Sequence, residues 1–120
     1  MLTPREMAEL AVKTLDNKKA RDIKLLETTA VTSIADYFVI CTAGSTAQIK
    51  MLADEVEKQL ENVGENLHHR EGYRDGGWVL IDFGCVIVHI FLEEMRQFYN
   101  LERLWTDAED TDLSILLSPQ

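Results

Sequence analysis

The chain has 120 residues, 46% hydrophobic and 28% charged, which suits one domain with its own core. Its 21 acidic against 12 basic residues give a formal charge of −9, which argues against broad contact with nucleic-acid phosphates. No apolar run reaches the roughly 18–20 residues that span a bilayer, and MLTPREMAEL has neither the basic nor the apolar region of a signal peptide, so a cytoplasmic chain with no membrane partner is expected.

Thr3-Pro4-Arg5-Glu6 has the form of a capping box, with Thr3 as N-cap, Pro4 at the first helical position and Glu6 reaching back. Met7, Leu10, Ala11 and Leu15 then recur at helical spacing, and Asn17-Lys18-Lys19 closes the helix near the negative end of its dipole. Asp22 to Glu27 partly alternates and predicts a strand. A single helical turn is expected over Thr32-Ser33-Ile34-Ala35. Tyr37-Phe38-Val39-Ile40-Cys41 is a continuous β-prone run, the pattern of a strand covered on both faces.

Gly44-Ser45-Thr46 turns into a second helix with an apolar stripe of Ile49, Leu52, Ala53, Val56 and Leu60, stopped by Gly64. Three strands follow, near 66–72, 77–83 and 85–92, the last two joined by a hairpin at Phe83-Gly84-Cys85. A helical segment is expected over 93–104. From Asp107 the chain turns acidic, with Glu109, Asp110 and Asp112, and ends near a short apolar patch. The expected organisation is one α/β domain over 1–106 and an acidic, flexible tail over 107–120.

Most residue patterns that suggest chemistry have a plainer structural reading. Asp82-Phe83-Gly84 matches the kinase magnesium triplet in letters only, since the glycine-rich loop, strand lysine and catalytic loop of a kinase are missing. Gly84 instead supplies the positive φ of a tight hairpin, and Asp82 ends a strand. Gly44-Ser45 between strand and helix resembles the triphosphate-facing turn of nucleotidyltransferases. Those enzymes also need carboxylates converging on metal ions, and Asp82 is alone on its strand. Ser45 or Thr46 as an N-cap explains the turn without a nucleotide.

Adjacent His68 and His69 point to opposite faces of a strand and cannot share a metal ion. His89 lies deep in an apolar run, where an imidazole satisfied by a hydrogen bond is expected. Cys41 and Cys85 are read as buried free thiols, and no Ser or Cys has a visible base. The expectation is no catalytic residue, no metal and no cofactor.

The remaining signal is aromatic and points to a surface. Trp78, Leu80 and Asp82 share one face of their strand, and Val79, Ile81 and Phe83 share the other. After the last strand, Met95, Phe98, Tyr99, Leu101, Leu104 and Trp105 crowd a short charged helix. Phe98, Leu101 and Leu104 suit a buried stripe. Trp78 and Tyr99 either complete the core or serve as interface anchors, with Glu93, Glu94 and Glu102 placed to meet a basic partner.

"ADYFVI" (35–40), "GSTAQIKMLADEVEKQL" (44–60), "EGYRDGGWVLIDFG" (71–84), "VIVHIF" (86–91) and "FYNLERLW" (98–105) occur in order, with "KKARDI" (18–23) before them. Together they strongly resemble the ribosomal silencing factor (RsfS) or Iojap family over residues 8–106. The resemblance implies a nucleotidyltransferase-like fold, a mixed β-sheet flanked by helices, without the catalytic carboxylates. It implies a non-enzymatic factor that binds the large ribosomal subunit through ribosomal protein L-fourteen and sterically blocks joining of the small subunit. Translation is thereby damped when nutrients are short.

The implied partner-binding residues are Trp78, Leu80, Met95 and Tyr99, with Glu93 and Glu94 facing lysines or arginines and little direct contact with nucleic acid. Two alternatives remain open: a nucleotide-binding protein or enzyme using Gly44-Ser45 and Asp82, and a homodimer through the exposed apolar surface. Cys85 stands where the family usually has Asp after the hairpin glycine, and Glu27 where Asp is common.

Overall fold

The structure, a computed structural model, describes residues 2–29, 35–73, 76–99 and 109–110. The expected turn at 32–34 and helical residues 100–104 lie outside them. Helix α1 spans Pro4–Asn17 and strand β1 Arg21–Glu27. Strand β2 (Tyr37–Ala43) leads into helix α2 (Thr46–Asn62). Strands β3 (His69–Tyr73), β4 (Trp78–Asp82) and β5 (Val86–Leu92) follow, then helix α3 (Glu93–Tyr99) and a two-residue strand β6 (Glu109–Asp110).

Local chemistry sets the helix ends. Thr3 Oγ1 accepts the Glu6 N–H at 3.1 Å, and the Glu6 carboxylate accepts the Thr3 N–H at 2.9 Å, so the capping box is closed both ways. At the far end, Ala20 N–H reaches Leu15 O at 3.0 Å and Lys19 N–H reaches Asp16 O at 3.1 Å. This is a Schellman closure, and it places Lys19 at φ 69°. Helix α2 ends in the same way with glycine in that place: Glu65 N–H meets Leu60 O and Gly64 N–H meets Glu61 O, with Gly64 at φ 92°. Because a Cβ is disfavoured in this region, Lys19→Gly is expected to raise stability by about 0.5–1 kcal/mol. Urea unfolding of the two chains checks it.

The strands form one mixed sheet in the order β3-β4-β5-β2-β1-β6. The central β2–β5 pair is parallel and every other pair antiparallel. Both central strands are buried almost throughout, as their continuous apolar runs predict. Helices α1 and α2 pack on one face of the sheet. Their stripes (Met7, Ala11 and Leu15; Ile49, Leu52, Val56 and Leu60) close over Leu25, Val39, Val79, Ile81, Val88 and Ile90. Arg70 of β3 ties the sheet edge to α2 through Asp54 and Glu57.

A second, smaller core lies on the opposite face, made of Leu26, Ala35, Phe38, Ile40, Ile87 and Phe91. Among the described helices, α3 serves this face. Arg96 of α3 donates to Thr42 Oγ1 at 2.9 Å and to the carbonyl of Asp22. Asp22 lies at φ 50°, where the β1–β2 register shifts between Arg21 and Lys24. This irregularity turns a strand carbonyl toward the arginine that anchors α3.

Candidate functional site

The period-two alternation of β4 separates its roles by face. Val79 and Ile81 point into the helix-covered core, whereas Trp78 and Leu80 are half-buried on the opposite face. Trp78 pairs with Phe91 across the β4–β5 ladder, and Leu80 pairs with His89. Trp78, Leu80 and Met95 all pack against the second core, so the structure brings these three predicted residues together. Glu93 and Glu94 are exposed in the first turn of α3, immediately before Met95. Carboxylates there also suit the positive end of the helix. Tyr99 ends α3, and its side chain lies outside the described residues.

Beneath this rim is an aromatic floor that the sequence only hinted at. The Trp78 and Phe91 rings stack with centroids 4.9 Å apart and planes 23° apart. His89 lies 5.0 Å from Phe38, 6.0 Å from Trp78 and 6.2 Å from Phe91 by the same measure. The Trp78 indole N–H donates to His89 Nδ1 at 3.3 Å. Burial holds the His89 imidazole far below its usual range, at about 3, so the ring is neutral. The expected hydrogen bond to this histidine is present, among the described residues on one nitrogen only. Nε2 is buried with no partner among them.

The nucleotide-related residues serve other purposes. Ser45 Oγ caps α2 by accepting the Gln48 N–H at 3.1 Å, and Gln48 Oε1 accepts the Gly44 N–H at 2.6 Å. Asp82 Oδ1 accepts the Gly84 N–H at 2.6 Å and so closes the hairpin, with Gly84 at φ 89°. Asp82 pairs with Ile87, and Ile87 with Phe38 at the start of β2, whereas Gly44 follows the end of that strand. At about 3.3 Å per residue the two are roughly 20 Å apart, too far to share one phosphate. Asp82→Ala is therefore expected to cost about 1 kcal/mol of stability through the lost turn bond. ATP or GTP with magnesium should shift the melting temperature of neither chain.

His68 lies over Gly84 just before β3 begins, contrary to the expected strand position, and His69 pairs with Glu71 within β3, so the adjacent histidines still do not share a site. Cys41 is fully buried, which pushes its thiol up to about 12 and suppresses the thiolate. Cys85 is only half-buried, contrary to the expectation of two buried thiols. Its Sγ rests 3.5 Å from Met7 Sδ, and its carbonyl accepts the N–H groups of Asp36 and Tyr37. A cysteine thus supplies α1 packing at this corner. Among the described residues, no group of three His, Cys, Asp or Glu is placed to hold a metal ion, and no helix is long and apolar enough to cross a membrane.

With this geometry established, comparison with known proteins is informative. The family model described as "Ribosomal silencing factor during starvation" matches residues 2–120. The ribosomal silencing factor RsfS of Halalkalibacterium halodurans is 38% identical over 117 residues, covering 98% of this chain and 100% of that protein. A crystal structure of a protein from Chromobacterium violaceum superposes with a TM-score of 0.84 at 35% identity, covering 88% of each chain. A Mus musculus protein named "Mitochondrial assembly of ribosomal large subunit protein 1" is 30% identical over 101 residues, covering 82% of this chain and 44% of that one.

Proposed function

Because the chain belongs to the ribosomal silencing factor family, a family of translation regulators, we propose that it binds the large ribosomal subunit and blocks joining of the small one. In this reading it acts in the cytoplasm without catalysis, docks on ribosomal protein L-fourteen, and represses translation when nutrients are short. The observation that carries the reading is the half-buried trio Trp78, Leu80 and Met95 on the second core, with Glu93 and Glu94 exposed beside it. Large apolar anchors next to carboxylates suit a basic protein surface, because the anchors supply affinity and the charges supply orientation and rate. The formal charge of −9 opposes direct contact with bare RNA and so favours a protein component as the docking point. The name of the Mus musculus relative supports the large subunit as the relevant particle.

The test is co-sedimentation of the purified chain with separated large and small subunits, together with a subunit-reassociation assay. Binding to the large subunit alone, with fewer joined ribosomes, is the expected result. Binding to neither subunit sinks the reading. A second copy of the chain would then be the occupant of the face to examine, and sedimentation of the free protein at rising concentration decides that.

A further inference from the structure

We infer that His89 is a positioning residue: its Nδ1 selects one of two orientations of the Trp78 indole and thereby sets which edge of the ring a docking partner meets. The inference deepens the proposed ribosome-binding role and rests on that reading for its consequence in binding. Its structural part stands by itself.

Stacking on Phe91 fixes the plane of the indole. Stacking alone does not fix its direction, because the Trp χ2 torsion is broad and roughly two-fold, and a flip exchanges the two long edges of the ring. A hydrogen bond from Nε1 to one fixed acceptor breaks that degeneracy, and His89 Nδ1 is that acceptor at 3.3 Å. A neutral imidazole that accepts at Nδ1 must carry its proton on Nε2. That Nε2–H is the atom left buried and, among the described residues, unpartnered.

For stability alone, histidine is a poor choice at this site. It is 4% exposed, lies among Phe38, Ile40 and Phe91, and has a donor with no partner among the described residues. Phe or Leu would fill the space with no orphan donor. What imidazole supplies and they cannot is the lone pair toward Trp78. A half-buried indole N–H at a surface can bond water, so satisfying it does not require His89. What the bond adds is direction. With its N–H committed inward, Trp78 offers a partner its apolar ring, and the complementary socket needs apolar walls instead of a carbonyl acceptor.

The test pairs His89→Phe, which keeps a planar ring slightly larger than imidazole and loses the acceptor, with His89→Asn, whose amide oxygen stands near the Nδ1 position. The readouts are solvent exchange of the Trp78 Nε1–H by NMR, assigned with Trp78→Phe, and affinity for isolated large subunits. In folded His89→Phe, exchange is expected to quicken about tenfold. Binding is expected to weaken about fivefold, the worth of one neutral hydrogen bond. His89→Asn should restore both to within about twofold of the parent, which a general packing defect would not do.

Unchanged exchange and affinity in His89→Phe overturns the inference, as does weakened binding that His89→Asn fails to rescue. A Trp78 Nε1–H that is unprotected in the parent chain overturns it without any variant. If the parent chain binds no large subunit, the functional reading fails, while the exchange data still decide the orientation.

Discussion

Trp78→Ala combined with Tyr99→Ala is expected to abolish binding to the large subunit while the chain still unfolds in one cooperative transition. The Trp78 part rests on geometry: the ring is half-buried over Phe91 on the face of the second core, against which Leu80 and Met95 also pack. Central aromatic anchors typically contribute 2 kcal/mol or more to an interface, roughly a thirtyfold loss in affinity for each one removed. The folding cost is smaller than for a core tryptophan, about 2 kcal/mol, because only part of the ring is buried. The helix-covered core of α1, α2 and the inner strand residues is untouched. Quantitative co-sedimentation with purified large subunits, alongside thermal unfolding, separates the two effects. An affinity within threefold of the parent chain would move the docking surface elsewhere.

His89 predicts a distinctive loss of stability in acid. Its imidazole titrates near 3 in the folded chain because burial penalises the charged form, against 6.5 when exposed. Above pH 6.5 the ring is neutral whether folded or not, and folding carries no protonation penalty. As pH falls from 6.5 toward 3 the unfolded chain takes up a proton that the folded chain refuses. Stability then drops by about 1.4 kcal/mol per pH unit from this one group. Replacing His89 by Phe removes that contribution. The unfolding free energy of the variant relative to the parent should therefore rise by about 3 kcal/mol between pH 6.5 and pH 4. Urea titrations at each pH measure it. Parallel pH dependence in both chains would mean that water reaches the imidazole and that the aromatic floor opens readily.

The sequence alone determined the features governed by neighbours along the chain. Both helix starts were legible because a Ser or Thr cap acts over three residues, and the α2 stripe because burial at helical spacing is periodic. The alternation of β4 separated Trp78 and Leu80 from Val79 and Ile81 before any fold was known. The Asp82-Phe83-Gly84 turn was equally readable, since an aspartate bonding two residues ahead is a local act.

Which of these residues share a site depends on the packing of the whole chain. Met95 packs on the same core as Trp78 and Leu80 because Arg96 anchors α3 to Thr42 and to the carbonyl of Asp22, contacts across 54 and 74 residues of chain that no local pattern carries. Cys85 turned out to be a packing residue against Met7, 78 residues away. His89 was expected to have its hydrogen bond, but the partner could not be named, because cross-strand register chooses which side chain lies opposite. That register also separates Gly44-Ser45 from Asp82, two motifs that look compatible in one dimension. Propensity and periodicity act within a turn or a strand; sites are assembled by sheet order and long-range contacts, and these are settled only when the whole core closes.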